Sequence, residues 1–148
     1  MKITKNAMNQ NTITMLGQIA LALILGGLIG WQREIRGKSA GPRTHALVTA
    51  GSTLFTILSM VAFGPNTSQV AAGVVTGIGF LGAGTILHKE DRVVGLTTAA
   101  GLWIAAAIGM AIGLKFYLFS TITAILVVFL LMFDDRRLRA DANRAKRE

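Results

Sequence analysis

The sequence has no cysteine, only two prolines and two histidines, and seven acidic residues among 148. Without cysteine, disulfides and thiolate metal sites are excluded. No acidic residue lies deep within an apolar stretch, so there is neither a carboxylate pair for acid–base catalysis nor the carboxylate ligands of a bare Mg²⁺ site. The zinc-protease pattern HExxH is also absent. We therefore expect no enzymatic activity, no catalytic residue, no cofactor and no resident metal ion.

Charged residues are scarce as a group. They make up 15% of the chain, whereas an average soluble domain has roughly 25%, and 52% of the residues are hydrophobic. A soluble domain of this size must cover a large surface with polar groups, which this sequence lacks. The composition therefore excludes an ordinary soluble domain and predicts that the lipid bilayer surrounds the protein.

Five apolar segments are candidates to cross a hydrocarbon core of roughly 30 Å, which takes about 20 residues of helix. The sequence therefore predicts an all-α integral membrane protein, a bundle of about five transmembrane helices over residues 14–133. Residues 1–13 are expected to form an extracytoplasmic segment, and residues 134–148 a charged cytoplasmic tail with no soluble C-terminal domain. The predicted spans are Thr14–Trp31, Thr44–Phe63, Ser68–Leu87, Val93–Ile112 and Tyr117–Phe133.

The net charge of +8 is explained by topology better than by nucleic-acid binding. With the N-terminus outside, 12 of the 15 Lys and Arg residues fall on the inner side, as the positive-inside rule requires. Merging the last two spans would reverse this balance and produce a helix of about 60 Å, twice the thickness of the membrane core. We therefore predict five spans, an outer N-terminus, a cytoplasmic C-terminus and no nucleic-acid partner.

Glycine is abundant, with 17 residues. The segment Gly77–Gly82 matches the GxGxxG pattern of dinucleotide-binding proteins, but that pattern needs a preceding strand, whereas these glycines lie inside an apolar segment. Small residues four positions apart line one helix face and let membrane helices approach closely. We therefore predict helix packing, with Gly82 and Gly84 also loosening the inner end of the third span. The predicted packing positions are Gly26, Gly30, Gly73, Gly77, Gly79, Gly82, Gly84, Gly101 and Gly109.

The connector after the first span is the segment richest in polar side chains. Gly41-Pro42 favours a turn, because proline restricts the residue before it. The basic residues alone fit a topological anchor, but that interpretation does not explain Glu34 or the polar start of the second span. A cytoplasmic-facing polar cluster is the alternative interpretation. This cluster would comprise Arg33, Glu34, Lys38, Arg43, Thr44, His45, Thr97 and Thr98.

Four ordered blocks of the sequence resemble the transmembrane domain of the MgtC/SapB family of bacterial membrane proteins. They begin at Ile29, Ala40, Gly77 and Gly95 and read IGWQRE, AGPRTHALV, GIGFLGAG and GLTTAAGLW. The resemblance covers residues 26–133. It implies a multi-pass protein of the bacterial inner membrane without established enzymatic activity, linked to Mg²⁺ limitation and, in some pathogens, to survival inside host cells.

The resemblance also implies a regulatory function, because family members act on membrane partners that include the F-type ATP synthase. We therefore hypothesise a non-enzymatic regulator that acts through helix packing and the polar cluster. In this hypothesis Arg33 and Arg43 pair with charges or contact a partner, and Glu34 pairs with a nearby base. Transport of Mg²⁺ or another ion is the alternative. The small-residue ladders also suit a homodimer, since such ladders join helices within one chain or between chains.

Overall fold

The long apolar runs form helices, because in a membrane each backbone N–H and C=O must find its hydrogen-bond partner within the same segment. The computed structural model describes residues 2–62, 67–89 and 92–133. Over these ranges it contains five helices and one short hairpin. The elements are α1 (Lys2–Ile35), α2 (Pro42–Ala62), α3 (Thr67–Gly84), β1 (Leu87–Lys89), β2 (Arg92–Val94), α4 (Leu96–Gly113) and α5 (Tyr117–Met132).

The five predicted helical segments correspond to α1 to α5, which confirms the predicted helical architecture. The first helix is longer than predicted, because residues 2–13 continue it without a break. Its 34 residues measure about 51 Å at 1.5 Å per residue. The predicted end of the second span at Phe63 and the predicted tail over residues 134–148 lie outside the described residues.

A short hairpin, which the sequence did not predict, connects α3 to α4. The two strands pair antiparallel, with Leu87 opposite Val94 and His88 opposite Val93. The predicted span ends at Leu87 and Val93 are therefore strand residues. The β-branched pair Val93-Val94 favours an extended backbone, where its side chains lose less freedom than in a helix.

Gly95 links this hairpin to α4. Its φ of 98° lies in the left-handed region that favours glycine. A Cβ at this position would collide with the carbonyl oxygen of Thr85. The close approach of Thr85 to the start of α4 therefore requires glycine at position 95.

Helices α2 and α4 form the centre of the bundle. The most extensive contact joins α1 to α2, followed by that between α2 and α4, while α3 packs mainly on α4 and α5 lies against α1 and α4. An apolar core lies where α1, α4 and α5 meet. Its buried members are Ala22, Leu25, Ile29, Ile108, Ile112 and Ala124.

Helix α2 turns its polar side chains inward and its large apolar side chains outward. His45, Thr49 and Thr53 are fully buried, whereas Leu47 and Val61 are 69% and 67% exposed. This arrangement is the reverse of that in a soluble protein, and it is the one that a lipid surrounding favours. Among the described residues, three helical segments are long and apolar enough to cross a membrane: Asn11–Ile35, Pro42–Ala62 and Leu96–Gly113.

Candidate functional site

Arg33 is a buried cation near the C-terminal end of α1. Its side chain is 3% exposed, and Nη2 donates a hydrogen bond to Thr98 Oγ1 at 3.2 Å, which joins α1 to α4. The Nε atom is buried and has no partner among the described residues. Glu34, the one acidic residue of the described ranges, is exposed. Within those ranges, therefore, no buried carboxylate balances the Arg33 charge.

His45 is the second buried basic side chain at this end of the bundle. Its Nδ1 lies 3.1 Å from the carbonyl oxygen of Gly41. A carbonyl only accepts, so Nδ1 carries the hydrogen. Nε2 is buried, has no partner in the described part of the chain, and lies 3.3 Å from the position of a Cβ built on Gly101. We call Arg33, His45 and Thr98 the buried polar cluster.

The structure divides the eight residues predicted to form one cytoplasmic-facing cluster. Three of them are the buried polar cluster and do not face the cytoplasm. Adjacent residues of a helix differ in burial because their side chains point about 100° apart. Thr98 is therefore buried while Thr97 is exposed. The five exposed members are Glu34, Lys38, Arg43, Thr44 and Thr97.

A row of hydroxyl groups continues the cluster along α2 and was not among the predicted site residues. Thr49 Oγ1 donates to the carbonyl oxygen of His45 at 2.8 Å. Thr53 Oγ1 lies 2.9 Å from the Thr49 carbonyl oxygen and 2.8 Å from that of Gly109 on α4. The four-residue spacing of His45, Thr49 and Thr53 places them on one helix face, and this spacing is the sequence signal that identifies them.

Gln18 joins α1 to α4 at the opposite end of the bundle, and it too was not among the predicted site residues. Its Nε2 donates to the carbonyl oxygens of Ile112 and Gly113, at 2.6 and 3.1 Å. These carbonyls lie in the last turn of α4, where intrahelical partners run out. An amide inside an apolar span is itself a signal of an inward-facing position.

Glycines allow α2 to lie very close to its two neighbours. A Cβ on Gly26 would lie 2.5 Å from Thr49 Oγ1, and one on Gly30 would lie 2.5 Å from the Cα of Pro42. On the other side of α2, a Cβ on Gly109 would collide with the Thr49 carbonyl oxygen. The structure therefore puts these predicted packing glycines at helix crossings.

The glycines of α3 require a correction. Gly82 lies in ordinary contact, since a Cβ there would be 3.5 Å from Ala99 Cβ. At four other predicted positions a Cβ would meet no atom of the described chain within 4 Å, because α3 turns Ile78 and Gly82 inward instead. These four positions do not join helices within the described chain: Gly73, Gly77, Gly79 and Gly84.

Three of these exposed glycines share one side of α3. Gly77 follows Gly73 by four residues and precedes Gly84 by seven, and both spacings return to the same side of a helix. We call Gly73, Gly77 and Gly84 the glycine stripe. It is an unpacked helix face, whereas Gly26 and Gly30 of α1 and Gly109 of α4 make close helix contacts.

The connector Gly37–Gly41 contains the letters of the GxSxG nucleophile elbow. That motif needs a strand before the serine and a helix after it. Here the connector joins two helices, so it lacks the backbone context of the motif. Among the described residues there is also no group of three or more His, Asp or Glu side chains that could hold a metal ion.

The inward-facing polar groups and the outward-facing apolar side chains define a helical membrane protein. The sequence pattern of the MgtC family matches residues 19–139. The chain therefore belongs to the MgtC family.

Similar curated proteins carry two kinds of name. The chain is 50% identical over 109 residues to the Escherichia coli protein named "Putative magnesium transporter YhiD", covering 68% of this chain and 51% of that protein. It is 47% identical to the proteins named MgtC of Brucella abortus, over 96 residues, and Salmonella typhimurium, over 93 residues. These matches cover 64% and 63% of this chain and 40% of each relative. The chain thus spans about half the length of these relatives or less, and no solved structure matches it.

Proposed function

We propose that this protein is a non-enzymatic regulator of the bacterial inner membrane, which acts by binding other membrane proteins during adaptation to low Mg²⁺ and, in pathogens, during virulence. In this proposal the chain crosses the membrane five times, with its N-terminus outside. Membership of the MgtC family supports the assignment. The observation that carries it is the exposed glycine stripe of α3.

The stripe supports partner binding because lipid-embedded helices associate through close backbone approach, which small residues permit. Each glycine also weakens a helix by about 1 kcal/mol relative to alanine. Gly26 and Gly109 offset that cost through tight contacts with α2, whereas Gly73 and Gly77 make no such contact in the described chain. A helix of a membrane partner that packs on α3 would provide the missing close contact.

The buried polar cluster supports regulation over ion transport. Mg²⁺ is bound by oxygen ligands, usually with one or two carboxylates, whereas the interior of this bundle presents the cation Arg33 near His45. A buried positive charge repels a divalent cation strongly, since the low dielectric of the interior screens it little. The described interior therefore disfavours a Mg²⁺ path at this end of the bundle.

A photocrosslinking amino acid at Phe80, which is 81% exposed and lies beside the stripe, tests the proposal in cells grown at low Mg²⁺. We expect an adduct with another membrane protein, with the F-type ATP synthase as the partner that the family resemblance implies. The control is the same amino acid at Leu118, which is 75% exposed on α5. An adduct formed equally at both positions, or one containing only a second copy of this chain, would contradict the proposal.

A growth assay in a strain that lacks this protein links the adduct to function. Gly77→Leu should abolish the Phe80 adduct and the growth advantage at low Mg²⁺, because a large side chain blocks the stripe. Gly17→Leu is the matched control, since a Cβ at Gly17 also meets nothing within 4 Å but lies on α1. Equal growth of the two variants at low Mg²⁺ would show that the glycine stripe is not needed for function.

Ion transport remains the second candidate because of the magnesium transporter name that one relative carries. Purified protein in sealed vesicles distinguishes the two. Saturable Mg²⁺ flux that is lost on substitution of Thr53, whose hydroxyl links α2 to α4, would favour transport. The absence of flux, together with the Phe80 adduct, would favour regulation.

A further inference from the structure

An apolar groove runs between α1 and α5, on the side of α1 that faces away from α2. Its volume is about 410 Å³, within the range of small-molecule sites. Leu28 and Trp31 of α1 and Ile125 and Val128 of α5 form part of its walls. Its walls include exposed apolar side chains, such as Trp31 and Ile125, so in a membrane an apolar ligand could enter the groove from the lipid.

Polar groups line only one end of the groove. Gln32 Nε2 donates to the carbonyl oxygen of Leu131, and Arg36 Nη2 donates to that of Met132 at 2.7 Å. Both carbonyls belong to the last turn of α5, where cations and donors are favoured. These bonds hold the Arg36 guanidinium and the Gln32 amide at the groove end that adjoins the basic connector.

The Gln32 amide has an unused acceptor. Because Nε2 donates to Leu131, Oε1 points away from that bond, and it is buried with no hydrogen-bond partner among the described residues. A buried acceptor without a partner is costly. A ligand that brings a hydroxyl or ammonium donor to this end of the groove would satisfy it.

We propose that this groove binds one anionic phospholipid with a hydroxyl-bearing headgroup. An acyl chain would lie along the apolar walls, the phosphate would be held by Arg36, and a headgroup hydroxyl would donate to Gln32 Oε1. Basic pockets between transmembrane helices on the cytoplasmic side are known to select anionic headgroups. A lipid explains the groove better than a partner helix does. The backbone N–H groups of a transmembrane helix are already hydrogen-bonded within that helix, so its backbone would not supply a donor to Gln32 Oε1, whereas a lipid headgroup would.

Native mass spectrometry of the purified full chain tests this proposal, with phosphatidylglycerol as the probe and phosphatidylethanolamine and phosphatidylcholine of the same acyl chains as comparisons. We expect one phosphatidylglycerol to be retained more tightly than either comparison lipid. Arg36→Ala should weaken its binding about fivefold. Arg43→Ala is the matched control, because Arg43 is an exposed basic residue at the same end of the bundle but does not line the groove, and it should change binding much less.

Two variants separate the groove from general attraction of anionic lipids to basic residues. Val128→Trp keeps every charge but fills the groove, and should abolish retention of the tightly held lipid. If that variant does not fold, Gln32→Leu, which removes the acceptor, should reduce the preference for phosphatidylglycerol over phosphatidylcholine. Equal retention of the three lipids, or equal loss in Arg36→Ala and Arg43→Ala, would overturn the proposal. Neither result bears on the α3 stripe, so the proposed regulatory function is tested independently.

Discussion

At the scale of single residues, Arg33 is the position where stability and function are expected to diverge. Its charge is buried with one hydroxyl partner and no buried carboxylate in the described ranges. A buried charge that is not paired with an opposite charge has a desolvation cost, which an apolar side chain of similar length does not have. A buried charge with this cost is a candidate for function.

We predict that Arg33→Met raises the stability of the purified protein by about 1 kcal/mol but abolishes the growth advantage at low Mg²⁺. Thermal unfolding in detergent measures the first effect and complementation of a deletion strain the second. Arg43→Met is the control, because Arg43 is exposed and its replacement should not change the stability of the protein. A fall in the unfolding temperature for Arg33→Met alone would show that the cation is structural.

Thr53 leads to a smaller prediction. Thr53→Val removes the hydroxyl that reaches the Gly109 carbonyl oxygen across α2 and α4, and interhelical bonds of this kind average about 0.6 kcal/mol in membrane proteins. Thr76→Val is the matched control, since Thr76 is exposed and donates to the carbonyl oxygen of Ala72 within its own helix. We expect a measurable loss of thermal stability for Thr53→Val and none for Thr76→Val. Equal losses would mean that the interhelical bond adds nothing.

At the scale of helices, glycines in contact and exposed glycines should respond in opposite directions. Gly30→Ala places a methyl group 2.5 Å from Pro42 Cα, which forces α1 and α2 apart at a cost of about 1–3 kcal/mol. Gly77→Ala meets open space and should stabilise α3 by up to about 1 kcal/mol. Unfolding temperatures of the two purified variants test this contrast. A loss of stability in Gly77→Ala would indicate that the purified protein packs α3 against another chain.

Helix phase explains which polar residues the sequence could have placed inside. Gly26, Gly30 and Arg33 are four and three residues apart, so Arg33 shares the packed face of α1. Glu34 follows Gly30 by four residues and lies beside Gly41 of the connector, so helix phase alone does not predict that it is exposed. The same reasoning joins Thr98 to Gly101 on α4. Residue spacing does not predict which helix packs against a given glycine face. The glycine stripe of α3 has the same spacing as the glycines that pack within the chain, yet it contacts no other helix among the described residues.

At the scale of the whole molecule, the apolar runs predicted five helices well because a membrane leaves the backbone few alternatives. The hairpin over residues 87–94 was missed, since strands of three residues are too short for a clear period and Leu87 and Val93 also suit the end of a span. The length of α1 was missed because its polar first residues weaken the apolar pattern without breaking the helix.

The orientation of the bundle is directly measurable, because the chain has no cysteine to interfere with labelling. Lys38→Cys lies in the α1–α2 connector and Leu114→Cys in the α4–α5 connector, and both native side chains are exposed. A membrane-impermeant thiol reagent applied to intact cells with a permeabilised outer membrane should label Leu114→Cys and not Lys38→Cys. Labelling of both cysteine variants by the external reagent would rule out the predicted placement of the two connectors on opposite sides of the membrane.

The buried polar face of α2 also constrains the order in which the protein assembles. His45, Thr49, Ser52, Thr53 and Ser59 all face the interior, yet α1 covers them on one side only, and the other side is covered by α4, which is synthesised later. Such a face is poorly suited to lipid. We therefore expect the early α1–α2 pair to leave its polar side uncovered until α4 has been synthesised and packs against it.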